Sequence, residues 1–277
     1  MIINIVTIVC LKFSLAVLKR RSHTLANIIA IANQKGGVAK TTTAVNLSAC
    51  LVEQGKKVLL LDLDPQGNAT SGCGVIKSKL KNSIYDVLIN EVPMERIIKQ
   101  TELTGLFIAP AQIELAGAEI ELVGLEQREG KLASALMSIK DDYDFIIIDC
   151  PPSLGLLTLN ALTAATDVLI PVQCEYYALE GLSLLMDTIQ RVKGRLNPRL
   201  NILGALLTMF DARTNLGIQV VDEVKKYFKS KVFSTIIPRN VRLGEAPSHG
   251  KPIVLYDDRS RGAEVYRDLA EEVLQRV

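Results

Sequence analysis

The 277-residue chain has no C-x-x-C pair, no strong excess of either charge, no internal repeat and no low-complexity stretch. Its five cysteines, Cys10, Cys50, Cys73, Cys150 and Cys174, are scattered and odd in number. That pattern argues against a disulfide framework and against a zinc site, and suits a reducing cytoplasm. With 32 basic residues against 30 acidic ones the formal charge is +2, so no global field marks a nucleic-acid binder and any polyanion site has to be local. No linker or charge block divides the chain into domains. What the chain does have is apolar material, 48% of its residues, enough over this length for one large core.

The first 26 residues stand apart. "MIINIVTIVCLKFSLAVLKRR" is apolar, interrupted by Lys12, and ends in Lys19, Arg20 and Arg21. A secretory signal carries its charge before the apolar run, so this is a poor export signal. Crossing a membrane takes about 20 mostly apolar residues, and Lys12 falls mid-run, which makes a marginal span and leaves an interfacial anchor as the remaining membrane role. We expect residues 1–26 to be an extension outside the folded domain, which starts near Leu25 and occupies 27–277. The extension holds four basic residues and no acid, so the remainder has 28 basic and 30 acidic residues, a net charge of −2.

Seven short apolar runs, at 27–33, 57–64, 106–110, 145–150, 167–173, 201–209 and 232–238, alternate with stretches of helix length. Continuous rather than alternating hydrophobicity is what strands covered on both faces need. The pattern predicts an α/β fold with a doubly wound, mainly parallel sheet, whose ligands bind at the carboxyl ends of the strands.

Those ends carry the polar motifs. "NQKGGVAKTTTAVN" (33–46) follows the first strand and opens a helix that runs to Gly55. The common phosphate loop, G-x-x-x-x-G-K-[ST], would place glycine at 34 and 39, where this chain has Gln34 and Ala39. Even so, Gly36 and Gly37 let the backbone approach a phosphate, and the helix start offers free N–H groups to an anion. Lys40 is placed to reach the β- and γ-phosphates and the Thr41 hydroxyl to ligate Mg²⁺. At the end of the second strand, Asp62 and Asp64 are two apart and are expected to point the same way. "YDFIIIDCPPSLG" ends another apolar strand in Asp149, the pattern of a carboxylate that holds Mg²⁺ through water. Pro151 and Pro152 then fix the exit path.

The spacing K-G-G-x-x-K-[ST]-T resembles the ParA/Soj/MinD superfamily of ATPases, and "DLDPQGNAT" matches the family's switch motif residue by residue. "PVQCEYYALEGL", "TMFDARTNLG", "IPRNVRLGEAPSHGKPI" and "DDRSRGAEVYRDLA" extend the likeness to chromosomal ParA proteins over residues 28 to about 275. The resemblance implies a P-loop NTPase-like three-layer sandwich, with ATP and Mg²⁺ held by Lys35, Gly36, Gly37, Val38, Ala39, Lys40, Thr41 and Thr42. It makes Lys35 the signature lysine that crosses to a partner subunit's nucleotide, hence a homodimer bridged by ATP. Asp64 would orient the attacking water, Asp62 would support the magnesium shell with Thr41 and Asp149, and the catalytic set is Lys35, Lys40 and Asp64. Pro238 and Asn240 become the base contacts, while Glu175 and Tyr176 fit a structural role equally well.

Family members bind DNA non-specifically through arginines at the positions of Arg213 and Arg242, and Arg239, Lys225, Lys226, Lys229 and Lys231 are weaker candidates. The function implied is a cytoplasmic, nucleoid-associated partitioning switch whose weak ATPase is stimulated by a ParB-like protein. The alternative is a MinD-like membrane-associated regulator. Such proteins end in a basic amphipathic helix, whereas this chain ends in the acidic "GAEVYRDLAEEVLQRV", leaving residues 1–26 as its only anchor. One family position departs from pattern: the expected glycine at 39 is Ala39, which crowds the loop if its φ is positive.

Overall fold

The computed structural model describes residues 26–175, 180–211, 213 and 215–277. Eight strands form one sheet: β1 (Asn27–Ile31), β2 (Val58–Asp62), β3 (Lys99–Gln100), β4 (Leu106–Ala109), β5 (Phe145–Asp149), β6 (Asp167–Gln173), β7 (Asn201–Phe210) and β8 (Val232–Pro238). Their spatial order is β3-β4-β2-β5-β1-β6-β7-β8, parallel throughout except for β3, which runs against β4. Seven of the eight are the predicted apolar runs. The eighth, β3, is a two-residue exposed edge with no apolar signal to read.

Each inner strand is buried on both faces, which is why the runs are continuous. In β1, Ile28 and Ala30 join one core and Ile29 and Ile31 the other; in β5, Ile146 and Ile148 oppose Phe145 and Ile147 in the same way. Helices α1 (Lys40–Glu53) and α8 (Arg261–Arg276) cover one face, and Tyr266 of α8, fully buried, shares a hydrogen bond of 3.2 Å with Thr43 of α1. The other face takes α3 (Leu115–Glu121), α4 (Leu156–Ala164), α5 (Glu180–Arg195) and α6 (Asn215–Phe228). Two shorter helices, α2 (Asn68–Gly72) and α7 (Val241–Glu245), follow the carboxyl ends of β2 and β8. The architecture is the predicted three-layer sandwich.

Strand order reverses around β1, which lies between β5 and β6 although β2 follows it in the chain. In an open parallel sheet this switch point is where a crevice opens beyond the strand ends. Ala26, assigned by sequence to the extension, is 4% exposed and belongs to the core; residues 1–25, including Cys10, lie outside the described residues. Cys50, Cys73, Cys150 and Cys174 are all buried and free, as their spacing implied.

Candidate active site

The segment from β1 to α1 forms a loop held from within. Asn33 donates its amide to the Pro171 carbonyl at 2.7 Å and accepts the Lys35 N–H at 3.0 Å. Pro171 lies in β6 beyond Leu169, the last residue paired with β1, so its missing N–H breaks no ladder bond there. Further along, Val38 is buried and its carbonyl accepts the Thr208 hydroxyl at 3.2 Å. Gly37 adopts φ 75° and Ala39 φ 67°, both left-handed. Ala39 therefore occupies a backbone conformation that glycine tolerates far better, the unfavourable case foreseen from the sequence.

A Cβ built at Gly36 or Gly37 would meet nothing within 4 Å, so the loop encloses open space. Helix α1 starts at this space with no side-chain cap and no acid in its first turn. Its terminal N–H groups and dipole are left to serve an anion. Lys40, only 6% exposed, donates its ammonium to the Lys35 carbonyl at 2.9 Å, and burial lowers its pKa despite the nearby Asp149.

The three aspartates take different roles. Asp62 and Asp149 are adjacent across β2 and β5, and both are completely buried. One Asp62 oxygen accepts the Thr70 N–H and hydroxyl, each at 2.7 Å, and the other accepts the Asp64 N–H at 3.2 Å. Burial pushes its pKa up to about 6 against these bonds. Asp64 lies past the end of β2 and accepts the Gln66 N–H at 2.9 Å, so it also initiates the turn that follows. The strand ends at Asp62, so Asp64 stands in the turn beyond it, yet its charge still acts on Asp62, Asp149 and Lys40.

Among the described residues neither carboxylate oxygen of Asp149 has a partner in hydrogen-bond geometry, although the Thr41 hydroxyl is near enough to act on it. Burial and then the Asp62 charge raise its pKa well above the usual carboxylate value, with Thr41 close enough to oppose them. An unpartnered buried carboxylate beside a threonine hydroxyl and an open anion cradle is the donor set expected for a phosphate-bound Mg²⁺, which keeps several waters and needs few protein ligands. Among the described residues no cluster of three His, Cys, Asp or Glu could hold a metal ion.

Lys35 does not point into the cradle's lysine position. Its ammonium lies 3.9 Å from Glu175, which is also 3.5 Å from Arg239 and accepts the Gln173 amide at 2.6 Å. Tyr176, paired with Glu175 in the sequence reading, lies outside the described residues. Pro238 ends β8, and the Asn240 side-chain oxygen caps α7 by accepting the Arg242 N–H at 2.8 Å. The two candidate DNA-binding arginines each have acidic neighbours. Arg213 pairs with Asp211 at 2.6 Å while its side chain stays 88% exposed, and Arg242 pairs with Glu245 at 2.9 Å and Asp257 at 3.4 Å. Of the lysines named with them, Lys231 is occupied by Asn201 and the Ile202 carbonyl.

Sequence reasoning missed Thr70, Asn33 and Glu119. Thr70 and Asn33 lie inside the quoted motifs and were there to be found as small hydrogen-bonding residues flanking each loop. Glu119 reaches its partners across 37 residues of chain, a distance no local pattern encodes.

A family model described as an AAA domain matches residues 26–202. The sporulation initiation inhibitor protein Soj of Bacillus subtilis is 65% identical over 249 residues, 90% of this chain and 98% of that protein. The chromosome partitioning protein ParA of Myxococcus xanthus is 56% identical over 253 residues, 91% of this chain and 89% of that protein. Among solved structures, cobyrinic acid a,c-diamide synthase from Mycobacterium smegmatis, with bound ATP analogue and magnesium, aligns at TM-score 0.81 and 42% identity over 91% of this chain and 95% of that one. A phosphate cradle at the switch point, followed in order by the two aspartate loops, and this depth of similarity along nearly the whole described chain lead to one conclusion: the chain belongs to the Soj/ParA family of chromosome partitioning ATPases.

Proposed function

We propose that this chain is an ATP-driven partitioning switch. ATP with Mg²⁺ occupies the loop Lys35–Thr42, two subunits close around the nucleotides, the dimer binds DNA without sequence preference, and hydrolysis stimulated by a ParB-like protein releases it. The observation that carries this reading is the division of labour between two lysines. Lys40 is buried beneath the cradle, whereas Lys35, on the rim with its side chain 32% exposed, turns outward to Glu175. A lysine in that place serves a second phosphate group better than its own.

In this scheme Lys40 and the first turn of α1 bind and orient the phosphates, and Thr41 with Asp149 holds the ion, Asp149 through water. An Mg²⁺ ion held by these residues would supply neutralisation of the charge that develops on the transferred phosphoryl group. Asp64, at the edge of its turn, orients the attacking water. Asp62 supports the metal shell from behind: its three donors brace the loop 64–70 while it adds a second negative charge beside Asp149. Pro238 and Asn240 flank the base. Asn240 would do so through its amide nitrogen, since its oxygen caps α7.

For DNA we assign Arg213 and Arg242, doubled in the dimer. Each must trade a local carboxylate for a phosphate, which makes binding weak per site and steep in salt. On this reading the protein works in the cytoplasm on the nucleoid, and residues 26–277 act as one ATPase domain. A membrane-bound, MinD-like reading has little support in the described residues. The apolar face of α8, including Val265, Leu269 and Val273, is buried in the core, and no helix there is long and apolar enough to cross a membrane. The test is DNA binding by the full chain in ATP, in ADP and without nucleotide: retention in ATP alone supports the switch, and equal retention in all three overturns it.

A further inference from the structure

Helix α3 is fastened to both aspartate loops. On one side, the Ala111 N–H donates to the Thr70 hydroxyl at 2.9 Å, and that hydroxyl donates to Asp62, so the approach to α3 is locked to the loop after β2. On the other side, the Glu119 carboxylate accepts the Leu156 N–H at 2.8 Å and the Leu157 N–H at 3.3 Å, which are the first two amides of α4. α4 has Gly155 as its own N-cap residue and therefore no local side chain to cap it. A remote carboxylate does the work instead, with the helix dipole and charge-assisted bonds both in its favour. The approach is so close that a Cβ at Gly155 would sit 2.5 Å from both Glu119 oxygens, so only glycine permits it.

Between Asp149 and α4 run only six residues, Cys150 to Gly155, with Pro151 and Pro152 among them. The segment leaves the sheet beside the cradle, its first N–H donating to the Ile31 carbonyl at 3.2 Å. A short, proline-stiffened tether pinned at Ile31 and at Glu119 has little freedom left. The geometry points to Glu119 as a positioning residue for ATP hydrolysis: it holds loop 150–155 in register with the Asp62–Thr70 loop, so that the groups around the phosphates close together. This rests on the ATPase reading of the site.

The test compares wild type with Glu119→Ala, Glu119→Gln and Gly155→Ala, in basal hydrolysis and in amide hydrogen exchange of loop 150–155. Misplacement of an active-site loop predicts a fall in kcat of roughly tenfold for Glu119→Ala, with KM for ATP within about twofold. Glu119→Gln keeps one acceptor oxygen and falls between. Gly155→Ala evicts the carboxylate and copies Glu119→Ala, and the double variant is no slower than either single one, because both remove the same contact. In exchange, ATP and Mg²⁺ protect loop 150–155 in wild type, fail to do so in Glu119→Ala, and protect it only in part in Glu119→Gln. Unchanged kcat with unchanged protection in the variants, or losses that multiply in the double variant, overturns the proposal. A wild-type chain that binds ATP without hydrolysing it sinks the ATPase reading alone; the exchange comparison then decides for Glu119.

Discussion

Replacing Ala39 by glycine is expected to stabilise the protein. Ala39 is held at φ 67°, ψ 30°, immediately before α1. For an L-residue the left-handed conformation costs about 1–2 kcal/mol, which glycine escapes. Glycine in turn loses more freedom on folding, about 0.5–1 kcal/mol. The difference favours Ala39→Gly by roughly 0.5–1 kcal/mol, which for a protein of this size corresponds to a Tm increase of about 1–4 °C. Thermal unfolding of the nucleotide-free protein reads this directly. A cost that lies in the backbone alone acts on free and ATP-bound protein alike, so the ATP Kd should shift by less than about threefold. Ala39→Val sharpens the contrast: a β-branched residue in that region is a worse fit, and Tm should fall. An unchanged or lower Tm for Ala39→Gly would refute the strain argument. A tenfold tightening of ATP binding would show instead that the methyl meets the phosphates.

Arg213→Ala combined with Arg242→Ala should abolish DNA retention in ATP at low salt while leaving ATP hydrolysis measurable, and gel-shift titration over a salt series checks it. Neutralising the carboxylate that holds one of them, Asp211→Asn, should act in the opposite direction and tighten DNA binding, because Arg213 then has a phosphate as its main anionic partner. Thr70→Val keeps the shape but removes a donor to buried Asp62 and an acceptor from the Ala111 N–H. Leaving such groups unpaired predicts a loss of about 1–3 kcal/mol or more, read by denaturant titration.

The strands were legible because a sheet covered on both faces demands unbroken apolar runs, and β6 and β8 match their predicted spans residue for residue. The cradle was legible because glycines, lysine and threonine must follow one another along the chain to line one phosphate. Other features were invisible for equally physical reasons. The sign of φ at Ala39 is set by the closure of the loop and not by the residue. The two bonds that Asp62 accepts from Thr70, eight positions on, depend on how the turn after β2 folds back. The acids beside Arg242 include Asp257, fifteen positions on, which only the return of the chain after α7 brings within 3.4 Å. Glu119 joins α3 to α4, two helices on the same face of the sheet, a contact that belongs to the fold as a whole.

The claim that ATP is the joint between two subunits is tested most directly by the molar mass of the full chain in solution, measured by light scattering with ATP and Mg²⁺, with ADP, and without nucleotide. A dimer in ATP only, reduced to monomer by Lys35→Ala while ATP remains bound, is the predicted result. A mass that ignores the nucleotide, or a Lys35→Ala variant that dimerises as well as wild type, would contradict it.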